Sequence, residues 1–308
     1  LLIRLNGSLV EEPAATDPLN LLMGGAPVHE YRARDVVRAI RLAAKDDRIK
    51  AVVLDLSSFT GGGLVHMEEV GAAMDAVRAA KKPVLTYAVA YLDDGVMLAA
   101  HASEAWVHPM GGAVIAGPGG SRSYFAGLLQ RFKVNVHVYK VGTYKDFVEP
   151  YLLDRASAPS KEARSALLAS VFESWQADVA RARPKAQYAM VAKDPVAWLN
   201  ASAGDLAQAS LKAGLVDKLG DAVEFGERVK EIAGADGSDK TQGTYAHSTM
   251  SALLAAHPAD NSGKAVAVVT VAGSIVDGKA GPGTAGGDRI AGLIDEANAD
   301  DAAALHLV

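Results

Sequence analysis

The chain has no cysteine among its 308 residues, which removes disulfides, thiolate nucleophiles and thiolate metal sites together. That absence suits an oxidising compartment without establishing one. Basic runs are missing too, and the net charge is −5; this argues against a nucleic-acid partner, because phosphate contacts need clustered Lys and Arg. No apolar run approaches the roughly 20 residues that a membrane span requires. The histidines (29, 66, 101, 108, 137, 247, 257 and 306) show no HExxH-type spacing, so neither a metal nor another cofactor is expected. What remains is ordinary globular composition, half hydrophobic and 22% charged, long enough for a sizeable core and about two domains. The chain opens on LLIRLNGSLV without Met and stops inside the apolar run AAALHLV. Both ends read as cuts, so a piece of a longer protein is expected.

Short β-branched runs alternate with longer amphipathic stretches. LLIRLNGSLV (1–10), KAVVLDL (50–56), PVLTYAV (83–89), EAWVHP (104–109) and VNVHVYKV (134–141) read as strands. Residues 35–47 and 65–82 carry apolar side chains three and four apart, the spacing of a helix with one buried face. Residues 159–183 make the longest expected helix, entered through Pro-Ser with Glu162 close behind. The alternation predicts an α/β fold with a mainly parallel sheet. Residues 233–264 begin polar, Gly-rich and aperiodic, as a connector would.

Beyond that connector the chain repeats its own beginning. NGSLVE (6–11) matches AGSIVD (272–277), and KDDRIKAVVL (45–54) can be laid over ADDAAALHLV (299–308). The offsets, 266 and 254, give the first copy a loop 12 residues longer, within residues 12–31. Two matches in the same order predict a tandem duplication whose second copy has only begun.

Among the motifs, FTGGGL and AGPGGS are Gly-rich turns that fit neither GxGxxG nor a P-loop, so close backbone approach explains them better than phosphate binding. Asp93–Asp94 and Asp46–Asp47 sit at loop or helix ends, where turn and capping roles suffice. Lys145, in VGTYKDFVEPY (141–151), is different. A lysine after a strand is usually a solvated charge. Buried among Val138, Val141, Tyr144, Phe147 and Val148, its amine would lose protons near neutrality and could deprotonate a hydroxyl.

VGTYKDFVEPYLLDRASAPSKEARSALLASVFESWQADVARAR (141–183) resembles the lysine segment of the long, tandem-repeat form of the bacterial signal peptide peptidase A family. AVVLDLSSFTGGG, KPVLTYAVAYLDDGVMLAAHASEAWVHPMGGA and SLKAGLVDKLGDAVEFGERVKE fit that family's first half in order, and VVTVAGSIVDG and AGGDRIAGLIDEANADD fit the start of its second. The resemblance implies a ClpP/crotonase-like α/β fold of repeated βαβ units. Residues 1–158 would be the first repeat, 159–232 a helical extension supporting assembly, 233–264 a linker and 265–308 the start of an incomplete second repeat. It implies a Ser/Lys endopeptidase without cofactor that degrades cleaved signal peptides, apolar and extended in the site. It implies a bacterial inner-membrane protein, anchored by an N-terminal helix absent from this chain, with its catalytic bulk on the extracytoplasmic side. A homo-oligomeric, tetramer-like ring or bowl follows from the same resemblance.

On that carry-over Lys145 is the general base. The serine belongs to an A-S-G-G segment of the second copy, roughly 40 residues past Val308 by repeat arithmetic. The first copy's counterpart of that serine is read as Asp93, which cannot form an acyl-enzyme in the family's manner. Ser57 and Ser58 lie in the glycine loop, which the family uses to bind substrate backbone. The chain alone is therefore expected to be inactive. Two alternatives stay open: a non-catalytic assembly or substrate-gating domain, and a crotonase-like acyl-CoA enzyme with Asp93–Asp94 as its only candidate acids.

Overall fold

A computed structural model describes residues 1–15, 29–258, 265–299 and 303–305. The chain runs β1 (Leu2–Arg4), β2 (Ser8–Val10), β3 (Glu30–Arg32), α1 (Ala33–Lys45), β4 (Val52–Asp55), α2 (Leu64–Ala79), β5 (Val84–Tyr91), α3 (Asp93–Ala100) and β6 (Glu104–Ala113). Then come α4 (Ala126–Arg131), α5 (Glu149–Leu152), α6 (Ala158–Ala182), α7 (Tyr188–Lys193), α8 (Pro195–Asn200), α9 (Leu206–Lys212), β7 (Lys218–Leu219), α10 (Ala222–Ala233) and α11 (Met250–Ala256). The last part holds β8 (Ala265–Ala267), β9 (Ser274–Val276), β10 (Thr284–Gly286), α12 (Gly287–Ala299) and β11 (Ala303–Leu305).

Five strands form one sheet in the order β1-β4-β5-β6-β7, and its ladders are parallel, as the alternation predicts. Successive side chains leave a strand on opposite faces, which splits the core in two. Ile3, Val52, Leu54, Val84, Ala88 and Val107 pack toward α1, α2 and α3. Leu2, Val53, Leu85, Tyr87 and Trp106 meet Phe225 and Val229 of α10. The Phe225 ring stacks on Tyr87 at 5.1 Å and meets Trp106 edge-on at 5.8 Å. Burial on both faces explains why the strands read as continuous apolar runs.

α1 shows how the pattern becomes packing. Ala33, Val36, Val37, Ala39, Ile40 and Ala43 are its buried residues, with Asp35 in the first turn and Lys45 in the last, each charge suited to its end of the helix dipole. Truncating Ile40, which is fully buried, would cost about 2–5 kcal/mol. Residues after 158 share this core, since Trp175, Val179, Tyr188, Val191, Leu215 and Val216 pack into the same cluster as Leu5 and Leu54. The Ser210 hydroxyl also accepts the Ala113 N–H at 2.8 Å, tying α9 to the end of β6.

The duplication is visible as topology. β1 pairs with β4 and β2 with β3; β8 pairs with β11 and β9 with β10, all in parallel. Each inner pair leads into a 13-residue helix, α1 or α12. The loop between the inner strands runs over 11–29 in the first copy and 277–283 in the second, the twelve-residue difference read from the offsets. Residues 16–28 of the longer loop, and 300–302 and 306–308 of the second repeat match, lie outside the described residues.

Candidate active site

Three parallel strands deliver their carboxyl ends to one region, where ligands collect in open α/β sheets. β4 runs into Ser57–Gly63, β5 into Asp93 and Asp94, and β6 into Ala116 and Gly117. A bulge between Ala88 and Ala90 shifts the β5–β6 register just before this point. Gly111 fits opposite it because a Cβ there would lie 1.6 Å from the Val89 carbonyl oxygen.

Residues 134–141 are not a strand. Their β-branched residues carry the signal, yet a strand needs a neighbour to take its N–H and C=O groups. β6 already has β5 and β7 on its two sides, and Val134, Tyr139 and Val141 are 50%, 96% and 89% exposed. Lys145 follows in this irregular stretch and is itself exposed. The apolar shell expected around it does not close within this chain, for Tyr144 and Phe147 also face outward.

The backbone under Lys145 is nevertheless held. Arg122 donates to the Asp146 carboxylate at 3.1 Å and to the carbonyls of Asp146 and Phe147 at 2.9 and 3.0 Å. The Ser160 hydroxyl donates to the same carboxylate at 2.5 Å. That bond and the Arg122 charge hold the Asp146 carboxyl below its usual range. Three residues on, the buried Glu149 accepts from the Ser157 hydroxyl at 2.5 Å and the Ser157 N–H at 3.2 Å. Ser157 in turn caps α6 by accepting from the Ser160 N–H. The VEP element after the lysine thus clamps the lysine loop to the start of the longest helix. Lys140 bends back to donate to the Lys145 carbonyl at 3.2 Å. Arg122, Asp146, Glu149, Ser157 and Ser160 are not singled out by sequence reasoning, although Asp146 and Glu149 lie inside the quoted motif 141–151.

The acid pair is better explained by geometry than by end-capping. Asp93 accepts the N–H groups of Ala116 and Gly117 at 3.1 and 2.9 Å, fixing the turn after β6. Trp175 of α6 donates to the Asp93 carbonyl at 3.0 Å. Asp94, not Asp93, faces the glycine loop, its Oδ2 accepting from Gly62 and Gly63 at 2.8 and 3.0 Å. Ser57 donates to Asp55 at 2.7 Å as a turn residue. Beside the loop and the acids lies a pocket of about 340 Å³ walled by Phe59, Leu64, Leu92, Phe172 and Trp175. Among the described residues no group of His, Asp and Glu is placed to hold a metal ion.

Behind this region His101 is fully enclosed between two carboxylates. Its Nε2 lies 2.8 Å from Asp178 Oδ2 and its Nδ1 is 3.0 Å from Asp75 Oδ2, the second contact poorly aligned for a hydrogen bond. Burial alone would lower the imidazole pKa; the hydrogen bond to Asp178 and the close carboxylates of Asp75 and Asp178 outweigh it, and the net shift is upward. Arg181 bonds the other oxygen of Asp178. The cluster joins α2, the end of α3 and α6.

The profile of Peptidase family S49 matches residues 76–236, a span holding the acid pair, His101 and the lysine loop. Protease 4 of Salmonella typhi is 31% identical over 97% of this chain and 49% of its own length. Protease 4 of Haemophilus influenzae is 30% identical over 98% of this chain and 50% of its own. The chain thus spans about half the length of the curated relatives it matches. Among solved structures, a membrane-bound stomatin-specific protease aligns over 81% of this chain and 93% of its own, at 14% identity and a TM-score of 0.32. An enoyl-CoA hydratase/isomerase family protein from Silicibacter pomeroyi aligns over 66% and 69%, at 14% identity and a TM-score of 0.33.

Proposed function

This chain belongs to peptidase family S49, and from that premise we propose that it supplies the general base, Lys145, of a Ser/Lys endopeptidase whose serine lies in the second copy, outside these 308 residues. The observation that supports the reading is a fixed backbone beneath an exposed lysine. Arg122, Asp146 and Ser160 hold the loop, while the Lys145 side chain stands where another surface can be laid over it. A lysine serves as a base only when desolvated. Val141, Tyr144 and Phe147, all exposed, would form one apolar wall of the seal and the second copy the other.

In the closed site the neutral amine takes the serine proton as the hydroxyl oxygen bonds to the scissile carbonyl carbon. The resulting ammonium then returns that proton to the leaving amine as the C–N bond breaks. Backbone N–H groups of the second copy's glycine loop stabilise the oxyanion, at about 3 kcal/mol per donor. The substrates in this reading are cleaved signal peptides, apolar and bound extended, processed on the extracytoplasmic side of the inner membrane by a ring- or bowl-shaped homo-oligomer. Among the described residues no helix is long and apolar enough to cross a membrane; anchorage would come from a helix preceding Leu1.

In the full-length protein Lys145→Ala and Lys145→Arg are expected to slow cleavage of an apolar peptide by roughly 10²–10⁴-fold, the worth of a general base, with the oligomer unchanged. Activity kept within about twofold in an intact assembly would remove the assignment and leave the assembly or gating role. One observation bears on the acyl-CoA alternative. A thioester oxyanion placed at the glycine loop would have to displace the Asp94 carboxylate, which already accepts from Gly62 and Gly63.

A further inference from the structure

After β4 the chain passes through Gly61, Gly62 and Gly63, with φ of +106° at Gly61 and +83° at Gly63. Turns of this kind aim successive N–H groups into one concavity, which suits an anion. The anion is supplied by the chain itself. A single oxygen, Asp94 Oδ2, accepts from both Gly62 and Gly63, at 2.8 and 3.0 Å. Asp94 lies in the first turn of α3, yet makes no cap for that helix; its carboxylate crosses to a loop 31 and 32 residues earlier.

The fit is close, for a Cβ on Gly61 would stand 2.8 Å from the same oxygen. The loop and Asp94 also line the apolar pocket of about 340 Å³, among Phe59, Leu64, Leu92, Phe172 and Trp175. A pair of N–H donors at the wall of an apolar pocket is built to receive a carboxylate or oxyanion carried on an apolar chain.

We propose that Asp94 is an internal occupant of this anion site, and that by filling it the chain excludes apolar peptides ending in a free carboxylate from the first copy's pocket. The inference does not depend on Lys145 or on peptidase activity, and its test reads neither.

The experiment is calorimetric titration of the full-length protein with two probes, N-acetyl-leucine and N-acetyl-leucinamide. Wild type is compared with Asp94→Ala, Asp94→Ser and Asp94→Asn, each first checked for a cooperative thermal transition. The two shortening variants are expected to bind the acid about tenfold tighter than wild type or better, the worth of one charge-assisted hydrogen bond, and the amide no tighter. Asp94→Asn still fills the space and should gain nothing. The Ser variant keeps a polar group at the start of α3, so the test survives if the Ala variant does not fold. A folded Ala or Ser variant with no gain for the acid overturns the proposal. An equal gain for the amide also overturns it, because apolar volume alone would then explain the binding. A gain in Asp94→Asn matching that of Asp94→Ala overturns it as well, by pointing to charge repulsion in place of occupancy.

Discussion

Replacing His101 by alanine should destabilise the fold by about 3–4 kcal/mol, and the figure follows from what the ring touches. The imidazole is fully buried and packs on the Cα of Gly71 so closely that a Cβ there would meet Nε2 at 2.6 Å. Truncation therefore leaves a void that no neighbouring side chain can fill without moving. It also strands Asp178, whose side chain is only 8% exposed. Arg181 remains bonded to the other carboxylate oxygen, which holds the penalty near the lower end of the roughly 3–5 kcal/mol seen for broken buried pairs. Asp75 is 32% exposed, so water screens its share. Arg78 donates to the His101 carbonyl at 3.3 Å, a bond the substitution leaves in place. The same cluster sets a pH dependence. The folded imidazole pKa stands above its ordinary value, so its contribution is complete below the unfolded value of about 6.5 and is lost as pH rises through the folded value. Across that window wild-type unfolding free energy should fall by about 1.4 kcal/mol per pH unit from this group. Urea unfolding followed by circular dichroism from about pH 6 to about pH 9, on wild type and His101→Gln, isolates the term. Parallel curves for the two proteins, or a cost below about 1 kcal/mol for His101→Ala, would refute the account.

Substitutions at two further positions probe the lysine loop and the pocket wall. Asp146→Ala removes the acceptor shared by Arg122 and Ser160. In the full-length protein it should lower kcat by roughly tenfold to a hundredfold through misplacement of Lys145, at a stability cost below about 1 kcal/mol. Chemical denaturation run beside the peptide assay tells positioning from unfolding, since a positioning role leaves the midpoint nearly unmoved. Trp175→Ala should cost about 3–5 kcal/mol, because the ring is buried, stacks on Phe172 at 5.7 Å and meets Tyr188 edge-on at 6.1 Å. Trp175→Phe should cost about 1 kcal/mol if the Nε1 bond to the Asp93 carbonyl is the main loss, which thermal melts of both variants would resolve.

The strands legible in the sequence include those whose apolar runs are buried on both faces, β1, β4, β5 and β6, although the run 1–10 that reads as one strand holds two, β1 and β2. The same signal misleads at 134–141, because periodicity describes a segment and not the partner it needs. β7 escapes notice for the opposite reason: two residues, Lys218 and Leu219, carry no periodicity, and only the vacant side of β6 makes them a strand. The site divides in the same way. Lys145 sits in one short motif, together with Asp146 and Glu149, and can be seen there. Arg122 and Ser160 stand 24 and 14 residues from Asp146, and Asp178 stands 77 from His101, so only the folded chain brings them together. Asp93 and Asp94 are adjacent at the start of α3, yet their carboxylates reach different loops. A one-residue step in a helix swings the side chain by about 100°, here from the β6 turn to the glycine loop.

The two copies separate what local sequence decides from what packing decides. Ser8–Val10 and Ser274–Val276 form the same short strand, pair in the same sense and lead to helices of equal length. Yet α1 buries six residues and α12 none, and Ile275 is 86% exposed where Leu9 is 2% exposed. Local pattern thus builds the entry of each copy, and burial in the first comes from β4, β5 and β6 and the helices laid on them. The chemistry divides along the same line. The first copy's Gly62 and Gly63 N–H groups, engaged by its own Asp94 carboxylate, are not free to meet a developing oxyanion.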